Sequence, residues 1–261
     1  MSKRRLIPKL QLKTSSFDPQ RMVLVITRQF DDVIEIGDAV SQAKIYQDQG
    51  ADELIFVNID RVDKSVQKLA KIIAKVSEEI FMPVTVGGGV TSEADFRLLL
   101  SNGADKISIN TAAVSDPGLM ARASDKFGAQ CVVVGIDYKK EIDGTFRVYI
   151  NNGRTRTDLD PVAWAVKCEG YGAGEILLTS IDNDGMKNGL NIDITRAVTS
   201  AVSIPVITSG GCGLANHFSE GYLKGQADAV SAGSFFAHRD QNFMQTRSQI
   251  KNSGVNIRVY N

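Results

Sequence analysis

The sequence predicts a single (β/α)8 barrel, the TIM-barrel architecture, built from two duplicated half-barrels at about residues 1–125 and 126–261. Three observations predict it. Short apolar segments alternate with segments of helical spacing, eight times over. Three blocks of sequence return in the same order in the second half. Several of the apolar segments end in glycine or acid, as strands do at the open end of a barrel.

The repeat is explicit. Gly50-Ala-Asp-Glu-Leu-Ile-Phe-Val-Asn-Ile-Asp60 returns as Gly172-Ala-Gly-Glu-Ile-Leu-Leu-Thr-Ser-Ile-Asp182, an offset of 122 residues. Met82-Pro-Val-Thr-Val-Gly-Gly-Gly89 returns as Ile204-Pro-Val-Ile-Thr-Ser-Gly-Gly211. Gly103-Ala-Asp-Lys-Ile-Ser-Ile-Asn110 returns as Gly225-Gln-Ala-Asp-Ala-Val-Ser-Ala-Gly233 with one residue inserted. Solenoid repeats run about 20–50 residues, so this period marks a duplicated half-domain.

The strand segments, in order, are 5–12, 53–59, 84–86, 106–110, 131–137, 176–181, 206–209 and 229–232. They are short and rich in Val and Ile, as strands buried on both faces are. Helical spacing of apolar residues covers 40–49 and 60–79. Asp116-Pro117 and Asp160-Pro161 each read as an N-cap followed by proline in the first turn. Gly103, Gly128 and Gly225 read as helix stops. Alternation of this kind implies parallel strands with right-handed crossovers, and the internal two-fold repeat favours a closed ring over an open sheet. Two connections are long: 13–40 after strand one and 139–157 after strand five. Long loops on the catalytic face are often lids. The second, with Asp143-Gly144 and Asn152-Gly153, reads as a small hairpin.

Composition narrows the function. The chain has 261 residues, 43% hydrophobic and 23% charged, which fits a globular protein with a full core. Zero formal net charge gives no field for nucleic acid. The longest apolar runs are strand-length, so no membrane span is expected, and Met-Ser-Lys-Arg-Arg at the start lacks an apolar signal core. Cys131, Cys168 and Cys212 are odd in number and widely spaced, which reads as reduced thiols in the cytoplasm. No cofactor and no metal are expected.

Strand ends supply the candidate site. Gly87-Gly-Gly89 with Asn110-Thr111, and their mates Ser209-Gly-Gly211 with Gly233-Ser234, are glycine-rich tips at which backbone N–H groups can approach an anion. One set follows strands three and four, the other strands seven and eight, so the pair predicts two phosphate sites facing each other across the mouth and a bisphosphorylated ligand. The plain alternative is tight turns. Asp137, at the tip of strand five, is placed for general acid–base work, with a cap as the plain alternative. Its repeat mate is Gln11, which cannot titrate. Arg5, Glu53, Lys106 and Glu175 open strands one, two, four and six and face the bottom, where the plain reading is an ion-pair plug. His217 and His238 have no Ser or Cys at suggestive spacing, and Trp164 reads as helix packing.

Taken together these residues resemble the HisF family, the cyclase subunit of imidazole glycerol phosphate synthase. The resemblance rests on Arg5-x-Ile/Leu-Ile-Pro, Asp52-Glu-Leu54, Val86-Gly-Gly-Gly89, Gly103-Ala-Asp-Lys-x-Ser-Ile-Asn-Thr-Ala-Ala113, Phe127-Gly-x-Gln130, Ile136-Asp137, the Gly172-to-Gly185 block, Ser209-Gly-Gly211 and Gly254-Val-Asn-Ile-Arg258. It spans essentially the whole chain. It implies a glutaminase (HisH-like) docked at the barrel bottom, ammonia passing through the barrel, and a bisphosphorylated ribulosyl nucleotide at the top. By the same resemblance Asp137 is the general acid/base. Gly88, Gly89, Asn110 and Thr111 hold one phosphate, and Gly210, Gly211, Gly233 and Ser234 hold the other. Arg5, Glu53, Lys106 and Glu175 gate ammonia, and Asp105 faces the glutaminase.

The chain departs from the family pattern on the substrate side. Gln11 stands where the family has its other catalytic aspartate, and Lys9 where it has cysteine. Leu24-Val-Ile-Thr27 stands in place of the lid's Val-Lys-Gly, with Arg28 the nearest cation. Asn58 replaces an aspartate and Met186 a threonine. An intact bottom below an altered top resembles the HisF-like paralogues of surface-polysaccharide pathways, which imply a separate sugar amidotransferase as the ammonia acceptor. A working histidine-pathway cyclase that tolerates Gln11 is the main alternative. A phosphosugar isomerase of the HisA branch is the third, and the complete bottom ring argues against it.

Overall fold

The computed structural model describes residues 3–237 and 242–258, so His238 lies outside the described residues. The chain opens with β1 (Arg5–Thr14), a hairpin of β2 (Met22–Arg28) and β3 (Asp31–Gly37), and α1 (Ala39–Asp48). There follow β4 (Leu54–Asn58), α2 (Val66–Ser77), β5 (Val84–Gly87), α3 (Glu93–Ser101), β6 (Lys106–Ile109), α4 (Thr111–Ser115) and α5 (Gly118–Phe127). The second half runs β7 (Val132–Lys140), a hairpin of β8 (Phe146–Ile150) and β9 (Thr155–Arg156), α6 (Pro161–Gly170), β10 (Glu175–Ser180) and α7 (Ile192–Ala201). It ends with β11 (Val206–Ser209), α8 (Ala215–Leu223), β12 (Ala229–Ala232), α9 (Ser234–Ala237) and α10 (Phe243–Asn252).

β1, β4, β5, β6, β7, β10, β11 and β12 pair in parallel in that order. β12 pairs back onto β1, with Ala229 opposite Arg5, and the ring is closed. This is the expected (β/α)8 barrel. A parallel strand needs a crossover, and each helix covers the outer face of its strands with one apolar stripe. On α2 that stripe is Val66, Leu69, Ala70, Ile73 and Val76, all buried. Truncating one of them, Leu69 for instance, costs about 2–5 kcal/mol. α3 starts in a capping box of Ser92 and Asp95. α6 starts as predicted, with Asp160 accepting the N–H groups of Val162 and Ala163 and Pro161 in the first turn. α5 begins at Gly118, one residue beyond the expected proline.

Three expectations need correction. The connection after strand one is not an irregular loop but the β2–β3 hairpin, because Met22–Arg28 is a run of strand formers that pairs antiparallel with β1, Val25 opposite Gln11. Strand five does not stop at Asp137. It runs on to Lys140 and carries the predicted hairpin, Tyr149 opposite Asp137. The helix expected over 60–79 begins only at Val66, since Asp60 accepts N–H groups from Val62 and Asp63 and holds 60–65 as a turn. The two hairpins thus spring from the first barrel strand of each half.

Inside the ring the side chains lie in layers. Ile7, Ile55, Val133, Leu177, Ile207 and Ala229 form an apolar cluster of their own, separate from the larger core between strands and helices. Along β1 the inward positions alternate as Arg5, Ile7, Lys9 and Gln11, so charged ends are separated by an apolar layer. Six residues of strand put Gln11 about 20 Å from Arg5 along β1.

Candidate active site and ion ring

At the bottom, Arg5, Glu53, Lys106 and Glu175 form a closed square. Arg5 donates from Nη1 to Glu53 Oε1 at 2.7 Å and from Nη2 to Glu175 Oε1 at 2.6 Å. Lys106 Nζ donates to the remaining oxygens, Glu53 Oε2 at 3.0 Å and Glu175 Oε2 at 2.9 Å. Burial works against the Arg5 charge, but Glu175 and Glu53 outweigh it and raise its pKa above the ordinary arginine value. All four sequence candidates are therefore brought together, each carboxylate bridging both cations. Asp105 lies next to this ring on the exposed bottom face, and its Oδ2 accepts the Val84 N–H at 2.8 Å.

At the top a cavity of about 560 Å³ gathers Asp137, Gln11 and Lys9 with Gly88, Gly89, Asn110 and Thr111. Asp137 accepts from Asn110 Nδ2 at 2.9 Å. Removal from bulk water pushes its carboxyl up to about 7; Lys9 opposes that shift and Asp184 adds to it. A carboxyl that titrates near neutrality can both give and take a proton, which is what general acid–base chemistry needs. Gln11 is buried, with its amide beside Thr27. The Thr27 hydroxyl lies 2.7 Å from Asp184 Oδ2 and 3.1 Å from Gln11 Oε1. One hydroxyl carries one proton, and the shorter contact, to Asp184, takes it. Asp184 is thus tied to the Gln11 end of the site, although sequence reasoning marked only the Asp182-to-Gly185 tip and not which acid faces inward.

The β2–β3 hairpin lies across the mouth as a roof. Gln29 donates from its backbone to Asp184 O at 2.8 Å and from its side chain to Asp182 O at 3.0 Å. Arg61 holds the hairpin tip from the other side, donating to Phe30 O at 3.0 Å and pairing with Asp31. The β8–β9 turn closes the third side, with Asn151 N donating to Thr111 Oγ1 at 3.0 Å and Asn152 Nδ2 to Ile59 O at 2.8 Å. Arg61 and Lys64, both on the cavity wall, carried no motif and were missed.

The glycine tips divide. Gly88 has φ +96°, and a Cβ there would sit 2.2 Å from the Asn58 carbonyl oxygen. Its mate Gly210 has φ +91° and would meet the Ser180 oxygen at 2.4 Å. Asn58 and Ser180 are themselves repeat mates, so both halves use glycine for one and the same close approach of strand tips. That packing requires glycine whatever binds. Gly88 and Gly89 nevertheless line the cavity, whereas Gly210, Gly211, Gly233 and Ser234 lie outside its lining, and Gly211 is packed against the Gly189 carbonyl. His217 accepts the Gly213 N–H at 3.1 Å and Trp164 is buried in α6 packing, both structural. Among the described residues no group of three or more potential metal ligands occurs, and no helix is long and apolar enough to cross a membrane.

A family model described as "Histidine biosynthesis protein" matches residues 6–242. The "Imidazole glycerol phosphate synthase subunit HisF" of Geobacillus kaustophilus (strain HTA426) is 44% identical over 259 residues, covering 99% of this chain and 100% of that protein. The chain belongs to the HisF family. A second HisF-family relative, "Putative imidazole glycerol phosphate synthase subunit hisF2" of Prochlorococcus marinus (strain MIT 9313), is 49% identical over 260 residues, 99% of each chain. This HisF-family chain has a closed ion ring at one end of the barrel and an acid of raised pKa at the other.

Proposed function

We propose that the chain is the barrel subunit of a glutamine-dependent amidotransferase. It receives ammonia from a HisH-like glutaminase docked over the Arg5, Glu53, Lys106 and Glu175 ring and passes it up the barrel. The acceptor on this reading is a separate sugar amidotransferase of surface-polysaccharide assembly, of the O-antigen or nonulosonate kind, and the chain's own lyase-type cyclase chemistry is impaired. The observation that carries the reading is Gln11. It occupies the buried top position opposite Asp137 with an amide that cannot titrate, while the ring and the apolar layer above it are complete. Losing one general acid or base costs roughly 10²–10⁴-fold in rate. Subunits named for imidazole glycerol phosphate synthase among the relatives support the cyclase-type ancestry of the site.

The second reading is a working cyclase of histidine biosynthesis, and Asp184 favours it. Thr27 donates to Asp184 and its oxygen lies 3.1 Å from Gln11 Oε1, so a second carboxylate stands one side chain away from the vacated position. A cyclase assay on the purified chain separates the two, with saturating ammonium at alkaline pH and the bisphosphorylated ribulosyl nucleotide. The first reading expects turnover at least 10²-fold below an ordinary cyclase, rising in Gln11→Asp. Ordinary turnover in the wild type, lost in Asp184→Asn and in Asp137→Asn, establishes the second instead.

A further inference from the structure

Four neighbouring strands carry an unbroken row of inward polar side chains. Asp137 on β7 stands opposite Thr179 on β10, Thr179 opposite Ser209 on β11, and Ser209 opposite Ser231 on β12. The next neighbour, Ile7 on β1, belongs to the apolar layer. That layer fixes the orientation of the row. Val133, Leu177, Ile207 and Ala229 lie in it, and side chains two or four residues further along a strand share the same face. Thr179, Ser209 and Ser231 are all buried. A buried hydroxyl ordinarily finds a partner. Among the described residues, however, the hydroxyls of Ser209 and Ser231 make no hydrogen bond. Their protons are uncommitted.

Adjacent strands lie about 4.8 Å apart, so one χ1 rotation carries a serine oxygen to hydrogen-bond distance of the next hydroxyl. The carboxyl at the end of the row gives it a direction. Burial raises Asp137; Lys9 is the first influence against that, and the Thr179 hydroxyl also favours the charged form as a hydrogen-bond donor. Asn110 from β6 and Asp184 from the turn after β10 are the other groups facing Asp137. A Thr179 hydroxyl that donates to Asp137 keeps its lone pairs for Ser209, and Ser209 keeps its own for Ser231. Each bond in such a chain strengthens its neighbour by roughly 10–30%. The far end stops at Ile7, which neither gives nor takes a proton, so the row is no conducting wire.

We propose that Ser231, Ser209 and Thr179 act as one hydroxyl row that points its protons at the Asp137 carboxylate, the two serines being positioning residues that act through Thr179. The row sets how readily Asp137 gives up its proton. This rests on the acid–base reading of Asp137, and on neither ammonia transfer nor cyclisation.

A carbon-13 NMR titration of the full chain, labelled at aspartate Cγ, tests it; Asp137 is assigned by the signal missing from Asp137→Asn. Thr179→Val is expected to raise the Asp137 midpoint by about one pH unit, the worth of a hydrogen bond to a charged group. Ser209→Ala raises it by about 0.2–0.5, and Ser231→Ala by less, as the strengthening fades along the row. In a Thr179→Val chain, Ser209→Ala has no further effect, because the link to the carboxylate is already gone. Thr208→Val is the control: Thr208 lies on the outer face of the same strand, bonded to Thr195, and its loss leaves the midpoint in place. A midpoint unmoved by Ser209→Ala, moved just as far by Thr208→Val, or still moved by Ser209→Ala in the Thr179→Val chain overturns the row and leaves Asp137 an acid. An Asp137 that shows no titration between about pH 5 and 9 overturns the acid–base reading beneath it, and the row with it.

Discussion

At the scale of single residues, the top of the barrel is a place where small changes of protonation matter. Asp137 is held with its pKa near 7, against an ordinary value near 4. A carboxyl raised on folding favours the native state while it is protonated. That contribution is complete below the unfolded value and is lost as pH rises through the folded one. Asp137→Asn removes the titration. The variant is expected to match wild type near pH 4 and to exceed it by about 2 kcal/mol at pH 8, a figure reduced from full linkage because the carboxyl faces the cavity. Urea melts at the two pH values check it, and a gap that stays constant with pH sinks the argument. Gln11 shows the converse: a neutral amide is buried at the same end of the barrel, with no charge to desolvate.

At the scale of elements, the roof hairpin depends on few bonds. Thr27 is the one that reaches the inner acid, 2.7 Å from Asp184. Thr27→Val keeps shape and strand propensity but removes the hydroxyl. Chymotryptic cleavage at Phe30 is expected to quicken several-fold in that variant, with cutting elsewhere unchanged; equal cleavage of both proteins would mean the hairpin is held by its backbone pairing alone. The hairpin also marks the limit of what the sequence discloses. Barrel strands and their crossovers are legible because period, length and repeat agree for each. Met22–Arg28 is as strand-like as any of them, yet nothing local says that it folds back onto β1. The candidate site divides in the same way. Ring residues stand at strand starts and Asp137 near the end of the β7–β10 pairing, where the fold itself points. Asp184, Thr27, Arg61 and Lys64 sit in connections, and their relation to the cavity depends on how two loops close in space. The second glycine set, Gly210 and Gly211, repeats the first in sequence and in its close backbone approach, and lies outside the lining of this cavity.

At the scale of the whole molecule, closure makes the halves one cooperative body. Each half meets the other along two seams, β6 with β7 and β12 with β1, so none of the eight barrel strands is left at a sheet edge. The ion ring also crosses between halves, since Arg5, Glu53 and Lys106 belong to the first and Glu175 to the second. Unfolding in urea is expected as a single transition by fluorescence and circular dichroism alike. Arg5→Met leaves Glu53 and Glu175 sharing only Lys106, and is expected to lower stability by about 3–5 kcal/mol without splitting that transition. Two separated transitions would instead show the halves unfolding independently. The roof sets a further property of the intact barrel. With Gln29 bound to the β10 loop and Arg61 holding the tip, the hairpin narrows the way into the cavity. Small molecules pass the opening that remains, and bulky ones wait for the hairpin to lift. Association rates of bulky ligands should climb with concentration and level off at one common ceiling, whereas those of ligands small enough for the opening keep rising.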